Sequence, residues 1–214
     1  MMFYLVRTPW ILKKFYHECT WDLPTPAKVM YLTFDDGPHP VATPFVLDTL
    51  KKYNARATFF CIGKNVESHF DLYRRIIEEG HAVGNHTYDH LNGWNTDDGI
   101  YLDNIYKAKK IIDSHLFRPP YGRITKFQLK QLKADKYKLQ PIMWSVLSGD
   151  FDDAVSGSEC YGTVVKNSKE GSIVVFHDSE KAFPRLEYAL PLVLEYFSAK
   201  GFEFRSINRK ETGA

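Results

Sequence analysis

Six short runs of apolar and β-branched residues punctuate the chain, and longer stretches of mixed polarity separate most of them. VMYLTF (29–34) and ATFFCI (57–62) read as buried strands, being too short for a core helix and rich in β-branched and aromatic residues. Ala82-Val83 reads as a short strand, PIMWSV (141–146) and SIVVF (172–176) as strong ones, and FEFRS (202–206) as the last. Between them, Thr43-Pro44 supplies an N-cap and a first-turn proline for the helix PFVLDTLKKY. A second helix, DLYRRIIEEG, stops at Gly80. Residues 97–113 read as a third. A fourth starts at Thr125, with Gln128 at capping-box spacing, and a fifth runs from about 182 to Gly201. Alternating strands and helices of this length predict an α/β fold whose parallel sheet is either open or closed into a barrel. Both architectures place ligands at the carboxyl ends of strands.

Composition narrows the classes. At 214 residues the chain suits one domain, 1–214, and its 44% hydrophobic content excludes a disordered or fibrous protein. The net charge of +2 gives no compositional support for binding nucleic acid. No stretch is apolar for the ~18 residues of a membrane span. Cys19, Cys61 and Cys160 include no CxxC pair and are expected to be inert thiols. The start, MMFYLVRTPWILKKFYHECTW, is broken by charges and Pro9, so it lacks a secretory h-region. The expectation is a cytoplasmic protein if the chain is complete, and an extracytoplasmic one if it is trimmed.

Four clusters follow these apolar runs. Asp35-Asp36-Gly37-Pro38 ends the first strand; neighbouring strand side chains face opposite ways, so both carboxylates serve one crevice only if the strand breaks there. An ordinary turn would use the same residues. His86 and His90 stand at i and i+4, which puts them on one face if the segment is helical, as in zinc sites of the HExxH type, although the glutamate of that motif is missing. His177-Asp178 ends SIVVF, and Arg118-Pro119-Pro120-Tyr121-Gly122 sets a fixed charge on stiff backbone. Together, an Asp and two His make a three-ligand metal set with room for water. A second Asp, a separate His and an Arg then supply a base, an acid and a charge partner.

TFDDGP (33–38), HTYDH (86–90), RPPYG (118–122) and FHD (176–178) resemble the polysaccharide deacetylase family, the NodB-homology or carbohydrate esterase family 4 domain, in its motif order and within residues 29–205. The resemblance implies a distorted (β/α) barrel of about seven strands, similar to a TIM barrel. It implies that Asp36, His86 and His90 hold a divalent metal, usually zinc, with Co²⁺ or Ni²⁺ as substitutes. Asp35 would be the general base, positioned by Arg118; the Tyr121 N–H would stabilise the oxyanion, and His177 would be the general acid. The family's Asp-rich, Trp-ending segment is WSVLSGDFD here, with Leu147 where an Asp is common and Phe151 for the Trp. Asp150 is the candidate to orient His177, and a lost orienting carboxylate would leave that histidine a poorer acid. The implied partner is an acetylated carbohydrate, and the implied activity is removal of N-acetyl groups from amino sugars that are polymeric, oligomeric or lipid-linked. An O-acetyl esterase on xylan-like glycans and a weakened carbohydrate-binding homologue are the alternatives.

Overall fold

A computed structural model describes residues 5–208. Seven strands form one parallel sheet: β1 (Val29–Asp35), β2 (Thr58–Cys61), β3 (Ala82–Asn85), β4 (Leu116–Phe117), β5 (Gln140–Pro141), β6 (Val146–Leu147) and β7 (Ile173–His177). Their order is β5-β4-β3-β2-β1-β7-β6, and β8 (Glu203–Phe204) pairs with the start of β1. The helices are α1 (Trp10–Phe15), α2 (Ala42–Lys52), α3 (Gly63–Ser68), α4 (Phe70–Glu78), α5 (Asp98–Lys109), α6 (Lys126–Gln131), α7 (Gly157–Asn167) and α8 (Phe183–Ala199). The sheet curls into a half-barrel with its helices, as the expected distorted barrel requires. Among the described residues, no helix is long and apolar enough to cross a membrane.

The period of two in β1 divides the core. Met30, Leu32 and Phe34 belong to the layer beneath the helices, where Phe34 stacks between Phe59 (5.1 Å) and Phe176 (6.0 Å). Val29 and Tyr31 join Phe60, Leu116, Ile142 and Ile173 on the other face. Thr33 and Asp35 continue that inner face toward the carboxyl end, where it turns polar. β5 and β6 are the two ends of the sheet. The segment before β1 bridges them: Arg7 pairs antiparallel with Val146, Thr20 parallel with Ile142, and Asp22 with Ser172.

Three local expectations are corrected. PIMWSV is not one strand, because its carbonyls are taken elsewhere: Arg118 Nε donates to Ile142 O (3.1 Å) and Nη2 to Met143 O (3.0 Å), leaving only the two-residue β5 and β6. Thr43 is not the N-cap of α2. The ring Nδ1 of His39 accepts from Val41 N–H and Ala42 N–H instead, which frees the Thr43 hydroxyl for a carboxylate. The 86–90 segment is a loop rather than a helix, with Thr87 (φ 63°) and His90 (φ 58°) in the left-handed region. Elsewhere the signals hold: Gly80 follows α4 at φ 81°, and the Thr125/Gln128 capping box forms. α1, α3, β4 and α7 were not foreseen, although Ser156 and Glu159 cap α7 in the same box arrangement.

Candidate active site

At the end of β1 the strand keeps Asp35 and loses Asp36. Asp35 remains in register, opposite Phe60 and His177, with its side chain on the inner face. Asp36 turns to φ 82°, which breaks the alternation and swings a second carboxylate to the same crevice. The next residue must be glycine, since a Cβ on Gly37 would lie 2.0 Å from Asp178 Oδ2.

Three ligand atoms converge there. His86, at the end of β3, is 2% exposed; its Nδ1 bonds Arg118 O (2.8 Å), which leaves Nε2 facing Asp36 Oδ1 at 3.7 Å. The loop returns His90, whose Nε2 lies 3.2 Å from the same oxygen. Asp36, His86 and His90 are the one such set of metal-capable side chains among the described residues, their ligand atoms all within 4.8 Å. Asp36 Oδ1 is buried without a hydrogen-bond partner. Burial pushes the Asp36 carboxyl up, yet the imidazoles of His90, His177 and His86 hold it well below the usual range. Burial also lowers His86 to about 4, so its imidazole is neutral and its Nε2 lone pair available. An orphaned carboxylate oxygen, a neutral imidazole fixed through its other nitrogen and a second histidine form a donor set that fits a zinc-like cation.

Asp35 is 4% exposed and pairs with Arg118, which is fully buried. Arg118 Nη1 donates to Asp35 Oδ1 (2.6 Å) and Thr33 Oγ1 (2.7 Å), and the guanidinium lies 4.0 Å from the centre of the Phe60 ring. Burial lowers the Arg118 pKa and Asp35 offsets part of that. With its other nitrogens held by Ile142 O and Met143 O, the guanidinium is a fixed charge pinning the carboxylate. Tyr121 follows at φ 59°, 62% exposed, its ring 4.7 Å from that of His90.

Across the site, His177 caps β7 beside Asp35. Its Nδ1 bonds Asp150 Oδ1 (2.7 Å) and its backbone N–H donates to Asp150 Oδ2 (2.7 Å). Asp150 is fully buried, and Arg185 Nε holds its carbonyl (2.8 Å). Burial disfavours the imidazolium, but the Asp150 charge and hydrogen bond, aided by Asp36 and Asp35, push His177 up to about 10. His177 therefore keeps an orienting carboxylate despite Leu147, while the Phe151 ring packs edge-on at 5.3 Å.

The sequence assigned no role to two partners of this site. Asp178 is fully buried; Oδ1 accepts from Gly37 N–H (3.1 Å), Oδ2 from the Thr43 hydroxyl, and its N–H donates to Asp35 O (3.0 Å). It ties β7, α2 and the Asp36 turn together. Burial raises it to about 8, the Asp36 charge adding to that and the bonds from Thr43 and Gly37 opposing it. Asn65, on α3, donates from Nδ2 to Asp36 O (2.7 Å). The strand-terminal His-Asp pair was the available signal for Asp178; nothing in the sequence marks Asn65.

Comparison with known proteins shows what the chain resembles in sequence and fold. A family model described as "Polysaccharide deacetylase" matches residues 22–139. A peptidoglycan-N-acetylglucosamine deacetylase of Bacillus cereus is 37% identical over 195 residues, covering 88% of this chain and 91% of that protein. A chitooligosaccharide deacetylase of Azorhizobium caulinodans is 35% identical, covering 70% of this chain and 73% of that one. Among solved structures, a peptidoglycan N-acetylglucosamine deacetylase bound to a hydroxamate-type benzamide superposes with a TM-score of 0.84 at 32% identity, covering 94% of this chain and 95% of that one.

Proposed function

The chain belongs to the polysaccharide deacetylase family, and on that premise we propose that it removes N-acetyl groups from acetylated amino sugars, using a divalent metal held by Asp36, His86 and His90. The observation that carries the reading is the convergence of that ligand set, the Asp35–Arg118 pair and the His177–Asp150 pair at the carboxyl ends of strands of one sheet, β1, β3, β4 and β7, with Asp150 from the loop after β6.

A bound zinc-like ion would polarise the acetyl carbonyl and acidify water at its open position. The protein's own groups do the rest. Asp35, pinned by Arg118, has the geometry of a general base, because one oxygen is held by the guanidinium while the carboxylate faces the crevice. The Tyr121 N–H, on a left-handed turn fixed between Pro120 and Gly122, supplies a donor for the oxyanion. His177 delivers the proton to the departing nitrogen. An amine is a poor leaving group unless protonated, so a histidine whose protonated form is favoured by a 2.7 Å bond to the Asp150 carboxylate suits an amide. The names of the relatives, which act on N-acetylglucosamine in peptidoglycan or on chitooligosaccharides, support the same class of substrate.

Zinc titration into chelator-stripped protein tests the reading together with acetate release from N-acetylated oligosaccharides. One tight site, weakened sharply in His86→Ala, is expected. Asp35→Asn is expected to bind zinc nearly as wild type does while losing on the order of 10²-fold or more in turnover. Zinc-loaded wild type that releases no acetate from amide or ester substrates would sink the proposal.

A further inference from the structure

Away from the site, α1 is anomalous. None of its six residues is buried, yet four are large and apolar. Trp10 is 70% exposed, Ile11 63% and Phe15 64%. At about 100° per residue, Trp10, Lys14, Ile11 and Phe15 fall on one outward face, while Lys13 turns inward to pair with Asp22. The segment is no frayed end. Leu147 N–H bonds Val6 O (2.9 Å) before the helix and Thr20 N–H bonds Pro141 O (2.9 Å) after it, so the exposed rings are held out from a fixed base.

The neighbouring helix extends the surface in kind. On α6, Lys126, Lys130 and the 53% exposed Phe127 share the open face, opposite buried Gln128 and Leu129. Lys126 reaches α1, bonding Phe15 O and Glu18 Oε2 (3.0 Å) and lying 5.1 Å from the centre of the Phe15 ring. Between residues 123 and 140 the chain carries Arg123, Lys126, Lys130, Lys133, Lys136 and Lys138 against Asp135. Lys126 pairs with Glu18, Lys136 with Asp103 and Lys138 with Asp135, so the excess positive charge rests on Arg123, Lys130 and Lys133 with Lys14 of α1. Exposed Trp and Phe interleaved with lysines match a lipid interface, where rings enter the headgroup region and ammonium groups meet anionic phosphates. A second copy of this chain fits less well, because two-fold pairing of this self-same patch brings Lys14 and Lys126 toward their own copies.

We propose that α1 and the open face of α6 form a docking surface for an anionic membrane. Thr125, the cap of α6, follows Gly122 by three residues, so the first turn of α6 adjoins the Tyr121 turn in the chain, and docking there would bring that turn toward lipid-borne or membrane-proximal glycan. The proposal stands whether or not the chemistry assigned to that site does.

The test is flotation of the full chain with vesicles of phosphatidylcholine alone and with added phosphatidylglycerol. Wild type is expected to float with the anionic vesicles, and less so as salt is raised. Trp10→Ser/Phe15→Ser is expected to lose roughly tenfold or more in partitioning, and Lys14→Glu a similar factor on anionic vesicles only. These side chains are exposed, so an unchanged thermal midpoint confirms that the variants fold. Wild type that ignores phosphatidylglycerol, or a double variant that floats as well as wild type, overturns the proposal. So does a wild-type dimer that the double variant converts to monomer without any vesicle binding, which assigns the face to a second copy.

Discussion

Replacing Asp150 by Asn should convert His177 from a charged to a neutral imidazole at neutral pH. Asp150 Oδ1 lies 2.7 Å from Nδ1, and its charge is the main reason that His177 rises from 6.5 to about 10 despite burial. At about 1.36 kcal/mol per tenfold in proton affinity, that rise corresponds to about 5 kcal/mol of favourable interaction with the protonated ring. A folded-state pKa above the unfolded value stabilises the fold fully below the unfolded value of 6.5. The contribution fades as pH climbs from 6.5 through about 10 and is absent above that. Urea unfolding of metal-free wild type and Asp150→Asn, compared across that window, should show a stability gap of several kcal/mol at its acidic end, closing toward the alkaline end. Metal-free protein is specified because a cation at Asp36 would itself repel the imidazolium. In the loaded enzyme the same substitution should lower acetate release by roughly 10²-fold or more and move the alkaline limb of the rate profile to lower pH. A gap that stays constant from pH 6.5 to pH 10 would refute the coupling between Asp150 and His177.

Further outcomes follow from the same contacts. Arg118→Met strands the buried Asp35 carboxylate together with Ile142 O and Met143 O, and should cost about 3–5 kcal/mol in urea unfolding near neutral pH. Asp178→Ala leaves Gly37 N–H and the Thr43 hydroxyl without their acceptors, at about 1–3 kcal/mol each. It should also weaken zinc binding by loosening the Asp36 turn, whereas Asp178→Asn, which keeps a carbonyl oxygen for Gly37, should retain most of both. Gly37→Ala should abolish zinc binding in calorimetry, because its methyl would meet Asp178 Oδ2 at 2.0 Å inside a packed interior.

The parts of the site legible in the sequence were those that end strands. Asp35, His177 and Arg118 follow apolar runs, and a chain leaving a parallel sheet presents such residues at one rim. What failed was geometry that local periodicity does not encode. His86 and His90 meet through two left-handed residues rather than a helical turn, because the loop is shaped by its target, Asp36. Asp36 shares a crevice with Asp35 only through its own positive φ. PIMWSV has the composition of a strand, but a guanidinium 24 residues upstream competes successfully for its carbonyls. The two-residue strands owe their existence to their neighbours. Asp178 stood in the strand-terminal His-Asp pair but drew no role, because an aspartate after a strand looks like a turn residue and its partners lie 135 and 141 residues away.

The bridge between β5 and β6 carries a consequence for the order in which this molecule assembles. Arg7 and Thr20 find their partners at Val146 and Ile142, well over a hundred residues later. On the ribosome, the segment before β1 therefore waits until β5 and β6 exist before Thr20 and Arg7 can pair, and Asp22 waits for Ser172. Closure of the half-barrel is a late event built from early chain, slowed by long loop closure. Until then the edges of β5 and β6 lie open, and the apolar residues around α1 have no anchored base from which to project.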